Sequence, residues 1–296
     1  MQGLILVNKP SGITSFSAVN KMKWLAQEKR VGHTGTLDPL ATGLLPIFIG
    51  KATALAGIVL DAEKGYIAMA KLGLTTDTCD VTGEVLTESE VKVTEEELSA
   101  VLERFRGKIM QTPPIYSALK KDGVRLYELA RKGERVDIPP REVEIIRLEL
   151  LEFSGDTFKI AVECSKGTYI RSLCRDIGEA LSCGATMTAL HRTTTGGFDV
   201  CDAVELDALT RENLAEYILP EETALLSLRE VKVTEKQAIR FGNGGQLAYE
   251  RLKNASFEDG ELLRIKFNDK FLGVGIADNQ NRQIAIKCVI NKVTSD

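Results

Sequence analysis

One stretch of fifteen residues, Gly32 to Pro46, limits most strongly what this chain can fold into. Its sequence, GHTGTLDPLATGLLP, contains three glycines, two prolines and a single carboxylate, Asp38. Glycine permits left-handed or cramped backbone, and Pro39 fixes its own φ while it biases Asp38 towards extended conformations. We therefore predict a shaped loop in which the neighbouring residues hold Asp38 in place.

A carboxylate on a constrained and otherwise uncharged loop is a candidate nucleophile or base, because its position is set before a substrate arrives. The alternative is structural. Asp-Pro and Thr-Gly pairs are ordinary turn formers, and a lone Asp in a turn usually accepts hydrogen bonds from nearby amides. The residues of the loop alone leave both interpretations of Asp38 open.

The composition is that of a globular protein long enough for two domains. Of the 296 residues, 44% are apolar, and no apolar run approaches the roughly 20 residues that a membrane span requires. The N-terminal sequence has no signal-peptide pattern, so we expect a cytoplasmic protein without membrane contact. Six cysteines without a C-x-x-C pair, together with two histidines, argue against a zinc site and predict reduced thiols.

The net charge of −4 excludes a uniformly basic nucleic-acid binder, so an RNA site requires local clustering. Residues 104–141 contain ten lysines and arginines against four acidic residues, whereas residues 199–230 contain two against nine. The first segment is a candidate for binding phosphates, and the second is expected to lie away from RNA. The alternative is that both segments are ordinary solvated surface.

Hydrophobic patterning and capping signals predict an alternation of strands and helices. The predicted strands are residues 3–7, 44–49, 66–74 and 187–195, together with a hairpin of residues 142–153 and 158–164. The predicted helices are residues 15–28, 52–61, 94–105 and 169–181. Thr14 or Ser15 is expected to cap the first of these helices, and Gly184 is expected to end the last.

Two segments and the C-terminal region depart from this alternation of strands and helices. Residues 107–141 read as a long irregular binding loop or lid with one short helix at 126–131. Residues 205–226 read as an acidic helical patch. From Val231 onward, short β-prone runs broken by glycine predict a small all-β domain of about 65 residues.

The loop around Asp38 resembles the catalytic core of the bacterial tRNA pseudouridine-55 synthases. Further blocks resemble the same family in the same order, over about the first 200 residues. They are Asn8–Ser15, Lys64–Tyr66, Gly73–Asp80, Pro113–Lys120, Tyr127–Arg131 and Cys164–Arg171.

The resemblance implies an α+β fold with a mixed-sheet pseudouridine synthase catalytic domain over residues 1–228 and an RNA-gripping insertion at about 104–141. It also implies a small PUA-like RNA-binding domain over residues 229–296. The implied reaction is isomerisation of uridine 55 in the T-arm loop of tRNA to pseudouridine, by base flipping, cleavage of the glycosidic bond and reattachment through C5. No metal or cofactor is expected. The expected partner is tRNA, with no protein partner, and the protein is expected to be a monomer.

The same resemblance implies residue roles. Asp38 is the expected nucleophile, attacking C1′ or C6, and Arg171 the expected partner that keeps it ionised. Tyr66 is expected to lie on the uracil face and to shuttle the C5 proton. Other residues are expected to bind the substrate: Tyr169 and Leu190 line the uracil pocket, Lys9 lies in a turn beside it, and His33 fills the space that the flipped nucleotide vacates. Expected RNA contacts are Lys120, Lys121, Arg131 and Lys132.

Without the resemblance, Arg171 would be interpreted as a surface helix arginine and Tyr66 and Leu190 as core residues. One departure from the family occurs at His191, where a second basic residue is more common, so that a phosphate contact there is expected to be weaker or pH-dependent. Two other functions are compatible with parts of the sequence. One is a tRNA-binding or remodelling protein, and the other is a carboxylate-dependent hydrolase, which lacks a second carboxylate at a telling spacing.

Overall fold

The computed structural model describes residues 1–59, 62–117, 119–121, 123–126, 128, 136–253 and 256–293. The described strands, in chain order, are β1 (Gly3–Lys9), β2 (Val31–His33), β3 (Thr42–Ile49), β4 (Lys64–Leu72), β5 (Leu74–Thr76), β6 (Val85–Glu88), β7 (Gly107–Gln111), β8 (Lys120–Lys121), β9 (Val124–Arg125), β10 (Arg141–Phe153), β11 (Thr157–Cys164), β12 (Ala185–Thr195), β13 (Phe198–Asp199), β14 (Val204–Glu205), β15 (Arg229–Lys232), β16 (Leu247–Ala248), β17 (Leu262–Phe267), β18 (Lys270–Asp278) and β19 (Gln283–Val289). The described α-helices are α1 (Ser15–Ala26), α2 (Ala56–Val59), α3 (Glu95–Glu103), α4 (Ile170–Ala180) and α5 (Glu235–Gly242).

A large mixed sheet forms the body of the protein. In the described residues its strand order is β14-β1-β3-β12-β4-β11-β10-β7, with β13 paired to β12 and β2 paired to β3. Most neighbouring strands are antiparallel, but β12 runs parallel to β3, and β14 runs parallel to β1. This mixed sheet with helices confirms the α+β fold.

The two faces of this sheet are covered by different elements. Because successive strand residues point to opposite faces, Ile5 and Val7 of β1 join a core with α1, α3 and α4. Leu4 and Leu6 join a second core on the other face, which also contains Phe271, Val274 and Ile290 of the C-terminal region. The C-terminal region therefore packs directly on the large sheet.

Local capping explains where the main helices begin. Thr14 caps α1 and accepts a hydrogen bond from the Ser17 amide, as predicted. Thr94 and Glu97 form the predicted capping box at the start of α3. The helix α4 ends at Ala180, before the predicted Gly184, and Ser182 adopts the left-handed conformation there.

Three predicted elements differ in the structure. The helix predicted for residues 52–61 is a 3₁₀ turn over Gly50–Leu55 followed by the single turn α2; residues 60 and 61 lie outside the described residues. The acidic patch forms short 3₁₀ turns, including Leu206–Ala208 and Leu214–Tyr217, because its buried leucines pack separately against the body. The supposedly irregular segment from Gly107 begins with β7, which pairs with β10 at the sheet edge. The helix predicted for 126–131 lies largely outside the described residues.

The C-terminal region forms a second, five-stranded sheet in the order β15-β17-β18-β19-β16. It is not purely β, since Thr234 and Gln237 form a capping box that starts α5 against this sheet. The small β domain predicted from Val231 onward is therefore present, with one helix added. In the described part of the chain, no helix is long and apolar enough to cross a membrane.

Candidate active site

Asp38 lies in the connection between β2 and β3, and the preceding turn of the chain holds that connection. The Ser15 hydroxyl donates to the Leu37 carbonyl at 3.0 Å and accepts from the Leu37 amide at 2.8 Å. The Gly12 amide donates to the Pro39 carbonyl at 2.8 Å, and the Ser11 hydroxyl donates to the Leu40 carbonyl at 3.0 Å. The backbone on both sides of Asp38 is therefore fixed by residues 11–15, more than by its own glycines.

Lys9 lies beneath this connection and is fully enclosed. Its ammonium donates to the carbonyls of Pro10 at 2.7 Å and Ile13 at 2.8 Å, with the Pro39 carbonyl at 3.5 Å. Burial lowers the pKa of Lys9 to about 8, against the opposing effect of the Asp38 charge. Since the side chain has no exposed surface, Lys9 holds the loop in this structure, and its role in substrate binding stays a prediction.

Arg171, in the first turn of α4, forms an ion pair with Asp38. Arg171 Nη2 donates to Asp38 Oδ1 at 3.2 Å, and Nε lies 2.9 Å from Oδ2 in an ion-pair contact. The remaining donors reach the backbone carbonyls of Thr78 at 3.0 Å and Tyr116 at 2.9 Å. The Arg171 side chain is 6% exposed, whereas a third of the Asp38 side chain remains accessible. The predicted Asp38–Arg171 pair is thus formed, with the carboxylate facing outward.

A second carboxylate, Asp80, completes this cluster. Asp80 Oδ2 lies 3.5 Å from Arg171 Nη1, and Oδ1 accepts hydrogen bonds from the Thr82 amide at 2.9 Å and the Thr78 hydroxyl at 3.0 Å. Cys79 adopts a left-handed φ of 61° in this turn. Asp80 was not identified from the sequence, although it falls in the Gly73–Asp80 block that resembles the family.

The titration of Asp38 reflects these neighbours. Burial raises the pKa of the Asp38 carboxyl, the Arg171 guanidinium opposes this, and the Asp80 charge adds to it. Partial burial alone would keep the Asp38 carboxyl protonated to higher pH, and the paired guanidinium favours its ionised form. Such a group is a suitable nucleophile near neutral pH.

Tyr66 and Leu190 lie on the adjacent strands β4 and β12. Tyr66 is 8% exposed, and it is close enough to Asp38 for that charge to affect its titration. Leu190, also 8% exposed, pairs with Ala68 of β4 in the sheet register. Burial raises the pKa of the Tyr66 phenol, and the guanidinium of Arg192 opposes this. The structure therefore brings the predicted aromatic residue and Leu190 to the same strand pair beside Asp38.

Tyr169 immediately precedes α4, and its backbone is held by Gln111 at the end of β7. The Gln111 side chain accepts from the Tyr169 amide at 2.8 Å and donates to the Tyr169 carbonyl at 3.1 Å. The Arg141 guanidinium stacks over the Tyr169 ring, 5.0 Å from its centroid. Neither Gln111 nor Arg141 was identified from the sequence, because both act on Tyr169 only through the folded chain.

The two histidines have distinct surroundings. Burial and the nearby Arg192 guanidinium lower the pKa of His33, so its ring is neutral near pH 7. His33 ends β2, just before the Asp38 connection. His191 Nδ1 lies 2.8 Å from the Thr42 hydroxyl, and the proposed phosphate contact at this position stays a prediction.

The predicted RNA contacts lie in the insertion. Lys120 and Lys121 form β8, which pairs with β9 as a two-stranded sheet of its own. Arg131 and Lys132 lie outside the described residues. The RNA-gripping role of this segment stays a prediction.

The arrangement combines an accessible carboxylate, a buried cation bound to it, a phenol and an apolar strand surface. Such a set can hold an oxocarbenium-like or covalently attached sugar and move a proton at a planar base. In the described part of the chain, no group of three His, Cys, Asp or Glu side chains is arranged to hold a metal ion.

Comparison with known proteins identifies the family. Residues 23–170 match the N-terminal domain of the TruB family pseudouridylate synthases, and residues 171–226 match the C-terminal domain of tRNA pseudouridylate synthase B. The tRNA pseudouridine synthase B of Pseudomonas fluorescens is 43% identical over 290 residues, covering 95% of this chain and 93% of that protein. Its counterpart from Clostridium tetani is 44% identical, covering 93% and 95%.

Solved structures agree with these sequence matches. A chain in the crystal structure of a Cbf5-Nop10-Gar1 complex superimposes with a TM-score of 0.74 at 28% identity, covering 98% of this chain and 84% of that one. A chain in the structure of an H/ACA RNP bound to a substrate RNA containing 2′-deoxyuridine gives a TM-score of 0.72 at 26% identity, covering 99% and 85%. With family matches that span residues 23–226 and relatives similar over nearly the whole length, the chain belongs to the TruB family of pseudouridylate synthases.

Proposed function

We propose that this protein isomerises uridine 55 in the T-arm loop of tRNA to pseudouridine, with Asp38 as the nucleophile. The observation that supports this most directly is the Asp38 carboxylate, one-third accessible on a loop fixed on both sides and paired with the enclosed Arg171. The relatives from Pseudomonas fluorescens and Clostridium tetani carry the name tRNA pseudouridine synthase B, which supports tRNA as the substrate.

In the proposed reaction, the uridine leaves its stack and enters the space between Asp38 and the strand pair of Tyr66 and Leu190. Asp38 attacks C1′ or C6 while Arg171 keeps it ionised and aligned. The bond between N1 and C1′ breaks, and the freed base turns against the Tyr66 ring and rejoins C1′ through C5. The C5 proton then leaves to Tyr66, and N1 takes up a proton, so that the product is an isomer of the substrate.

Other residues position the nucleotide in this proposal. Tyr169 lines the uracil pocket beneath the Arg141 guanidinium, and neutral His33 fills the space that the flipped base leaves in the RNA. The reaction neither oxidises nor hydrolyses the substrate, so these side chains suffice without an added cofactor.

RNA binding outside the pocket is assigned to two regions. The insertion at residues 104–141 grips the tRNA through Lys120, Lys121, Arg131 and Lys132, since phosphate contacts dominate nucleic-acid affinity. Residues 229–296 form a PUA-like RNA-binding domain, and residues 1–228 form the catalytic domain. The five-stranded sheet of β15 to β19 is compatible with this division. We propose a cytoplasmic monomer.

The test is to incubate the purified protein with an unmodified tRNA transcript, without added cofactor, and to map pseudouridine along the RNA. We expect modification at position 55, and none in a transcript with cytidine at that position. Asp38→Asn should abolish turnover while tRNA affinity stays within a few-fold, because the amide keeps the loop shape but cannot attack. Binding of tRNA without conversion by the unaltered protein would instead favour the binding or remodelling function.

A further inference from the structure

Arg192 on β12 is an unusual residue for the centre of a sheet. It has no exposed surface and is the largest fully enclosed side chain among the residues that the structure describes. Among the described residues, no carboxylate lies within 4 Å of its guanidinium, in contrast to Arg171. A buried cation without an anionic partner destabilises a fold unless other groups satisfy its donors. Packing alone therefore does not account for an arginine at this position.

The sheet register places Arg192 directly between two parts of the active site. On one side its partner is Tyr66 of β4, and on the other its partner is Gly43 of β3. Directly opposed residues on neighbouring strands place their side chains on the same face, about 5 Å apart. A side chain at position 43 would meet the Arg192 backbone within 2.3 Å, so only glycine allows the two strands to approach this closely.

The guanidinium connects these parts by hydrogen bonds. Arg192 Nε donates to the Leu44 carbonyl at 2.7 Å, and Nη2 donates to the Gly35 carbonyl at 3.2 Å, at the start of the connection that carries Asp38. From its position opposite Tyr66 in the sheet register, the guanidinium also opposes the rise that burial causes in the pKa of the Tyr66 phenol. A Cβ at Gly35 would lie 3.2 Å from Arg192 Nη1, so the connection is shaped around this side chain.

We propose that Arg192 is a positioning residue for the isomerisation: it fixes the Tyr66 phenol against the Asp38 connection and holds a positive charge beside the oxygen that receives the C5 proton. This inference rests on the proposed function. In the step concerned, the C5–H bond breaks, its electron pair restores the C5=C6 double bond, and the C6=N1 pair returns to N1. The Tyr66 oxygen takes up the C5 proton as its own O–H proton leaves to solvent, so that the phenol is regenerated, and N1 takes up a proton, so the step is balanced.

Arg192 is suited to stabilise charge at the Tyr66 oxygen because the other groups that affect the phenol are neutral or negative. The charges that affect the titration of the Tyr66 phenol include those of Arg192, Cys164 on β11 and Asp38. Burial raises the pKa of Cys164 to about 11, so its thiol is neutral at working pH. The Asp38 charge disfavours negative charge on the phenol oxygen, and Arg192 is the cation that counteracts it.

The experiment uses the full-length protein and a tRNA transcript carrying either ordinary uridine or uridine deuterated at C5. Single-turnover rates are measured for the unaltered protein, Arg192→Met and Arg192→Lys. We expect Arg192→Met to lower the rate by about 10²- to 10⁴-fold, the range for loss of assisted proton transfer. Because cleavage of the C5–H bond is the step that slows, the deuterium isotope effect should increase, while tRNA affinity stays within a few-fold. Arg192→Lys, which keeps the charge but not the planar fork, should lose less.

The matched control is Arg264→Met. Arg264 is also enclosed, 9% exposed, but it lies on β17 and contacts Glu222 and the Leu228 carbonyl. Its loss should reduce the melting temperature without changing the isotope effect.

Three results would overturn the inference: a rate for Arg192→Met within a few-fold of the unaltered protein, a lower rate with an unchanged isotope effect, or equal losses for Met and Lys. If Arg192→Met does not fold, the isotope effect of Arg192→Lys decides, since an unchanged value would show a purely structural role. Absence of pseudouridine with the unaltered protein would instead count against the proposed function.

Discussion

The enclosed Lys9 predicts a specific pH dependence of stability. Burial lowers its pKa from 10.5 to about 8; the Asp38 charge acts in the opposite direction, and the Arg192 charge adds to the lowering. In the unfolded chain the ammonium is solvated and keeps the ordinary pKa. Replacement by methionine, Lys9→Met, removes this titration while it retains a side chain of similar length.

The sign and size follow from proton linkage. Between pH 8 and 10.5 the unfolded chain binds more protons at Lys9 than the folded protein does, so the free energy of unfolding increases with pH. Each pKa unit corresponds to about 1.4 kcal/mol. The destabilising contribution of Lys9 is full below pH 8 and disappears as the pH approaches 10.5. From pH 7.5 to 9.5 the unaltered protein should therefore gain about 2 kcal/mol relative to Lys9→Met.

The assay is urea-induced unfolding of both proteins at pH 7.5, 8.5 and 9.5. Other titrating groups are common to both proteins and cancel in the difference. Lys71→Met serves as the control, since the Lys71 side chain is 49% exposed and only 3.7 Å from Asp156 in a surface pair; its effect should stay within about 0.5 kcal/mol. A difference between the unaltered protein and Lys9→Met that does not change with pH would refute the reasoning, because Lys9 would then be fully charged in the folded state.

Three further predictions concern catalysis and RNA binding. Arg171→Lys should lose most single-turnover activity, because an ammonium cannot contact both Asp38 oxygens in the observed geometry; activity equal to that of arginine would contradict the pairing. Asp80→Asn keeps the hydrogen bonds of its turn but removes the charge 3.5 Å from Arg171, so we expect a rate loss of about 10²-fold without weaker tRNA binding, measured by single turnover and filter binding. Neutralising four basic residues of the insertion should weaken tRNA binding and lower the slope of log K against log salt by roughly 0.7 to 0.9 per lost phosphate contact, and parallel salt titrations would show an ordinary solvated surface. These residues are Lys120, Lys121, Arg131 and Lys132.

Several elements followed from the sequence because their causes are local. The Thr14 cap, the capping box of Thr94 and Glu97, and the β10–β11 hairpin depend on residues close together in the chain, and the structure contains all three. The acidic segment at residues 205–226 forms short turns where a helix was predicted, and the cause lies in tertiary packing. Its leucines have helix-like spacing, but the nearby sheet edge buries them in separate short turns, which periodicity alone does not reveal.

The site divides in the same way. Asp38 was a candidate from its loop alone, because a carboxylate between glycines and prolines is recognisable within one loop. Its catalytic role, like the roles of Arg171, Tyr66 and Leu190, followed from resemblance to a family. Asp80 and Arg192 emerged only from the folded chain, since their roles depend on which residue lies opposite them.

The distances along the chain give the physical reason. Arg171 binds Asp38 across 133 positions of sequence, and Arg192 reaches the Gly35 carbonyl across 157. Such contacts are set by strand register and by the packing of α4 on the sheet, and a shift of one residue in β12 would turn Arg192 to the opposite face. The sequence by itself therefore determined the local loop, caps and hairpin, whereas tertiary structure decided which charged groups share the enclosed space around Asp38.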